Sequence, residues 1–380
     1  TGGRGKGGMS VQVSSWGVLP QGHPSAGVEV HRVTLEVGGH RCITISLGCT
    51  ITELVVAAPG GPPIDTVLGF DDLESYATKS PFFGCVVGRH AGRLEPFTVA
   101  GTEYPLAGSD GGGGGIDPKT NLHGGKVGWD KRVWTVAGHE SSADSAAVTF
   151  EYTSPHLEEG FPGEVDATVT YRLTSGGELH LVYAATTDRP TVVSLTNHTY
   201  FNLGRDHAVG IRGHTLKLLA EAYAKGADEG TGVPTGELSA VAGTAHDFRD
   251  PRLLGGAIDA IAAASPLWPH GEGFVVDGNV GREANAVAGG GIAGLATAAT
   301  LSCPASGLTL TVLTSEPQLQ TYYSTLLDAT PGKGGTVYTR HGAVCLETHR
   351  FANAVNRPSF PSQVITPAEP YRQHTVWRFA

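Results

Sequence analysis

Val165–Leu173 reads VDATVTYRL, and its alternation decides the fold class. Val165, Ala167, Val169, Tyr171 and Leu173 fall on one face; Asp166, Thr168, Thr170 and Arg172 fall on the other. A period of two with a single apolar face is the pattern of a β-strand buried on one side. Ser175-Gly176-Gly177 then supplies a turn, and ELHLVYAATT, from Glu178, resumes the alternation. The two segments predict an antiparallel hairpin.

Working outward, strands are expected over Val30–Val37, Cys42–Ser46, Val133–Val136, Ala147–Tyr152, Thr215–Leu219, Leu308–Leu313 and Thr375–Phe379. Between them lie turns rich in the chain's 55 glycines and 23 prolines. Only Leu253–Ala264 has a helical period. Many short strands along the whole length imply an all-β chain, folded as a large antiparallel β-sandwich with few short helices. No linker divides it, so residues 9–380 are expected to form one domain. Thr1–Gly8, TGGRGKGG, reads as a leader, with Met9, the only methionine, as the native start. Gly111–Gly115 is expected to be a loop.

The 380 residues carry a net charge of −10 and are 40% hydrophobic, enough for a substantial core. The acidic balance disfavours nucleic acid, which needs a basic face. No apolar run approaches the ~20 residues needed to cross a bilayer. Five cysteines without a CxxC favour free thiols in a reducing, cytoplasmic setting. Sixteen histidines form no HExxH or other clustered ligand spacing, so no metal is expected.

Gly289–Gly294 satisfies the GxGxxG of dinucleotide-binding turns, with Leu308–Leu313 as a possible next strand and Glu316 near its end. That would make the protein a redox enzyme. A true fingerprint follows a continuous apolar strand, whereas GREANAVA precedes this one. Pro304–Gly307 also suits a hairpin turn. The preferred reading is a loop leading into a β-hairpin, with no cofactor.

Four segments concentrate groups suited to handling a polyol: Gly88–Arg93 (GRHAGR), Asn121–Gly125 (NLHGG), Leu195–Leu203 (LTNHTYFNL) and Cys345–His349 (CLETH). Singly, each has an ordinary structural explanation. Together, in this order and spacing, they resemble the aldose 1-epimerases, also called galactose mutarotases. FPGE at Phe161–Glu164, HDFRDPRLLG at His246–Gly255, LTSEPQLQTYY ending at Tyr323 and NAVNRPSFPS from Asn353 extend the likeness from about Val28 to Phe379.

The resemblance implies the galactose mutarotase-like supersandwich and an isomerase that interconverts α and β anomers of a free aldohexose such as glucose or galactose. It implies Glu347 as general base and His198 as general acid, which requires Glu347 ionised and His198 protonated; partial burial is expected to raise the pKa of Glu347 toward neutrality, and a nearby carboxylate to hold His198 charged. Arg93 and His123 would bind sugar hydroxyls, and Gln320 would lie near the anomeric end. Arg89 joins the substrate-binding set with a mainly structural part. The expected partner is a small sugar, with no nucleic acid, membrane or cofactor, and the chain is expected to be a monomer or weak homodimer.

The pattern breaks at Gly271, which stands where the family carries an aspartate; Glu272 or His270 is the candidate replacement. His349 stands in place of a glutamine, and Ser324-Thr325 in place of a Gly-Asn pair. The alternatives are a hexose-6-phosphate 1-epimerase, which needs a cationic pocket, and a sugar-binding protein without turnover.

Overall fold

The computed structural model describes residues 10–106, 108, 120–226, 232–264, 271–279 and 294–380. Thr1–Met9, Gly111–Gly115, His270 and most of the GxGxxG run lie outside the described residues.

The hairpin forms as read. Val165–Thr174 pairs with Glu178–Thr187 from Val165 opposite Thr187 to Leu173 opposite Leu179. Its apolar set is buried at every second residue. Ten-residue strands with one oily face need a large sheet to cover them. They sit inside a nine-stranded antiparallel sheet that runs from Thr135–Ser141 at one edge to the short Arg252–Leu253 at the other. The C-terminal strand Tyr371–Phe379 lies at its centre, between Glu178–Thr187 and Leu308–Thr314.

Two further sheets pack on it. An N-terminal sheet of five strands, Ser10–Val18 through Ile64–Asp65, contributes Val33, Leu35, Val37, Leu54 and Val56 to the same core as Val169 and Tyr171. A six-stranded sheet, here the site sheet, has the order Tyr200–Phe201, Val344–His349, Gln318–Tyr322, Gly273–Val275, Ala222–Gly226 and Pro234–Ala240. Its inner face meets the large sheet where Phe201 lies edge-on to Trp377, ring centroids 4.8 Å apart. The chain is therefore a mostly antiparallel β-sandwich, as expected.

The expected helix is Leu254–Ala264, burying Leu254, Ala257, Ile258 and Ile261 at helical spacing. A second helix, Leu73–Lys79, went unread because seven residues are too few to show a period. Its start is marked by Asp72, whose carboxylate accepts from the Ser75 amide at 2.8 Å. The strand expected over Val133–Val136 lies instead at Thr135–Ser141. It is an exposed edge with a bulge at Val136/Gly138, so it carries little alternation.

After Gly294 comes a strand, Ala296–Cys303, hairpinned onto Leu308–Thr314. No helix N-terminus stands there to receive a pyrophosphate, so the dinucleotide reading falls. All five cysteines are buried and free. Among the described residues no helix is long and apolar enough to cross a membrane.

Candidate functional site

The site sheet supplies one wall of a cavity of about 150 Å³. Glu347 and Gln320 are opposite each other in register, and Gly273 is opposite Gln320 on the far side. Alternate residues share a face, so Glu347 with His349 and Gln320 with Gln318 project together, and all four line the cavity. Glu272, just before Gly273, lines it as well.

The opposite wall comes from loops tied to the large sheet. His198 follows Thr196–Asn197, which pairs with Val86–Val87, and its amide donates to the Cys85 carbonyl at 2.8 Å. The Asn197 side-chain amide donates to the Gly84 carbonyl and to the Tyr171 hydroxyl, so a core residue of the fold-deciding strand braces the turn that presents His198. The imidazole is stacked between Phe82, at 5.6 Å, and Tyr200, at 5.1 Å. Arg93 and His123 come from neighbouring segments joined by the Arg93–Leu94 and Asn121–Leu122 pairing. The Gly92 amide donates to His123 Nδ1 at 3.2 Å, and the His123 amide donates to the Gly92 carbonyl at 3.1 Å.

These walls bring His198 Nε2 to 3.8 Å from Glu347 Oε1. Both groups are buried, and burial favours their neutral forms. It pushes Glu347 up to about 8, although Arg93 pulls the other way. It pushes His198 down to about 4. The expectation that a carboxylate would hold His198 charged is therefore corrected: burial is the largest influence on the ring and favours its neutral form. Burial also lowers Arg93 to about 10 and raises Glu272 to about 8.

Arg93, His123, Gln320 and Glu272 line the cavity with the pair. Arg89 does not. It is 2% exposed, and its guanidinium donates to the Ser154 hydroxyl and to the carbonyls of Ser154, Pro155 and Pro162 at 2.8–3.0 Å. Its donors are spent on clamping a loop. Gly271 has φ +105, and a Cβ there would run into the Thr321 carbonyl oxygen and lie 2.7 Å from its hydroxyl. The backbone excludes an aspartate at that place and presents the carboxyl one residue on, at Glu272.

Sequence reading missed Phe82, which has φ 68 and packs on both His123 and His198. An apolar residue in PFFG carries no chemical flag. It also missed Gln318, which the period of two from Gln320 would have found.

His123, His198 and Glu347 hold ligand-type atoms within 4.8 Å of one another. Their hydrogen bonding suits a sugar better than a cation. The Gly92 amide occupies His123 Nδ1 as donor, so the neutral ring carries its proton on Nε2, which then donates and cannot ligate. Arg93 adds positive charge beside Glu347.

The sequence pattern of aldose 1-epimerases matches residues 31–378. Galactose mutarotase of Sus scrofa is 39% identical over 372 residues, covering 97% of this chain and 98% of that protein. Galactose mutarotase of Homo sapiens is 40% identical over 358 residues, covering 93% and 95%. The crystal structure of an aldose epimerase homologue from C. elegans is similar with a TM-score of 0.76 at 26% identity, covering 92% of this chain and 99% of that one. With the match running through both walls of the pocket and the sheets behind them, the chain belongs to the aldose 1-epimerase family.

Proposed function

We propose that this protein is a mutarotase acting on an unphosphorylated aldohexose, with His198 and Glu347 as its acid/base pair. The observation that carries the reading is their convergence, 3.8 Å apart, in a cavity walled by hydrogen-bonding side chains.

Ring opening breaks the C1–O5 bond while a proton leaves the C1 hydroxyl and another reaches O5. Both oxygens are bonded to C1, so the two proton-transfer groups must stand within a few ångström of each other. Glu347 takes the hydroxyl proton and His198 delivers one to the ring oxygen. The C1 carbonyl turns about C1–C2, and reclosure on its other face runs the same transfers backwards. Each transfer contributes roughly 10²–10⁴ in rate. Sugar hydroxyls are held by Arg93, by the Nε2–H of His123, and by Gln320 and Glu272. Among the described lining residues Arg93 is the one guanidinium, with no lysine beside it. That favours a free sugar over a hexose phosphate, whose dianion calls for several cations.

Polarimetry of freshly dissolved α-glucose and α-galactose tests the reading. The protein is expected to speed both relaxations, and Glu347→Gln and His198→Asn are each expected to lower kcat at least ~100-fold with unchanged melting temperature. Near-wild-type rates in either variant would sink the assignment of the pair, and a catalytically silent wild type would favour a sugar-binding protein.

A further inference from the structure

The proposed acid/base pair leaves part of the wall around it unexplained. Glu347 and Gln320 face each other across paired strands, and one step along the same strands Gln318 faces His349. Gln318 Oε1 and His349 Nε2 are both buried and make no hydrogen bond to another group of the protein. Two neighbouring polar groups sealed from water without partners are costly to keep, so the site gains when something arrives to satisfy them.

The chemistry of that arrival follows from hydrogen-bond direction. His349 Nδ1 lies 2.6 Å from the Arg350 carbonyl oxygen. A carbonyl only accepts, so the ring proton is on Nδ1 and Nε2 carries a lone pair. Burial keeps the ring neutral, holding it down at about 4, so the lone pair stays available. One glycine leaves room for this arrangement: at Gly273 a Cβ would collide with the Gln318 amide. The orphaned atoms are both acceptors. On the other side of the cavity Arg93 and the Nε2–H of His123 are donors. A hydroxyl donates and accepts at once, so a polyol is the ligand that satisfies both walls.

We infer that His349 and Gln318 form a second hydroxyl-binding subsite, His349 accepting the proton of the C2 or C3 hydroxyl of the sugar and Gln318 that of the adjacent hydroxyl, while Glu347 engages C1. Alternate residues along a strand are about 6.6 Å apart, which puts this pair beside the anomeric end and away from C6. The inference rests on the mutarotase reading for the placement of C1. It makes His349 and Gln318 substrate-binding residues that contribute to sugar preference.

The test pairs substrate deletion with residue deletion. Wild type, His349→Leu and His349→Gln are assayed on glucose and on its 2-, 3- and 6-deoxy forms, reading kcat/KM by polarimetry and Kd by calorimetry. Wild type is expected to lose about tenfold on the 2- or the 3-deoxy sugar. His349→Leu is expected to lose about tenfold on glucose and nothing further on that same deoxy sugar. His349→Gln, whose side-chain oxygen accepts, keeps the wild-type discrimination, so the acceptor is tested even if the leucine variant fails to fold. Equal losses on every sugar, no loss on any, or discrimination confined to the 6-deoxy form would each overturn the subsite. Failure of the mutarotase reading looks different, because wild type then shows no catalysis on any sugar while the Kd comparison still tests the subsite.

Discussion

His198 and Glu347 are buried to 5% and 2% exposure, and that burial gives the protein its pH signature. With His198 near 4 and Glu347 near 8, the pair holds one proton between those values, two below and none above. Ionised Glu347 with protonated His198 also holds one proton, so it is a tautomer of the state that predominates across the plateau. In the free enzyme kcat/KM is therefore expected to stay level from about pH 4 to about pH 8 and to fall on either side, measured by polarimetry. A rate that only rises through pH 4.5 and then stays flat would mean that Glu347 titrates as an ordinary carboxylate. The pair was legible in the sequence because four polar segments carried a family likeness. The rise of Glu347 with burial was expected as well; the neutral His198 was not, because the extent of its desolvation belongs to the closed pocket and to no local run of residues. Arg89 was read as mainly structural beside a cavity-facing Arg93, and the fold adds what it clamps: the loop carbonyls of Ser154, Pro155 and Pro162.

At the level of elements, the alternation of Val165–Leu173 was sufficient because its strand is long and covered on one face only. Val86–Val87, Thr196–Asn197 and Tyr200–Phe201 were not legible as strands, since two residues hold no period and exist as strands only through partners far along the chain. Gly271 shows what an element-level reading adds. In sequence it is a missing aspartate. In the strand entry at Gly273–Val275 it is the residue that passes over Thr321 with a positive φ and no room for a Cβ. Restoring the family residue with Gly271→Asp is expected to lower the melting temperature, at a cost of about 1–3 kcal/mol of local strain, without improving KM for glucose or galactose. Calorimetry and polarimetry on the one variant check both halves. A more active, equally stable variant would refute the account.

For the whole molecule, composition and strand count implied the sandwich, but not which strands join which sheet. That order depends on pairings such as Tyr371–Phe379 with Leu308–Thr314, made by segments whose apolar faces are interchangeable. The assembled core also sets the response to acid. Burial holds His90 near 3 and His198, His214, His246, His349 and His374 near 4. Between those values and about 6.5 the unfolded chain binds protons on these rings that the folded chain refuses, so acid favours unfolding there. Glu272 and Glu347, raised to about 8, and Glu316, raised to about 7, act in the opposite sense, since the folded state keeps their protons as pH rises past 4.5. The imidazoles outnumber the carboxyls, so the melting temperature is expected to fall as pH drops from 6.5 to 4.5 in a thermal-unfolding series. A rising melting temperature over that range would show that the carboxyls dominate.

The strand that carries Glu347 adds a consequence in time. All six residues of Val344–His349 are buried, and the strand has a hydrogen-bonded neighbour on each side, Tyr200–Phe201 and Gln318–Tyr322. Tyr200–Phe201 covers only Val344 and Cys345, so Leu346–His349 is held by its pairing with Gln318–Tyr322 and by burial, and its amide hydrogens are expected to reach solvent when that one pairing opens. Heat inactivation is then expected to follow the opening of this pairing, which amide exchange along Val344–His349 reads directly.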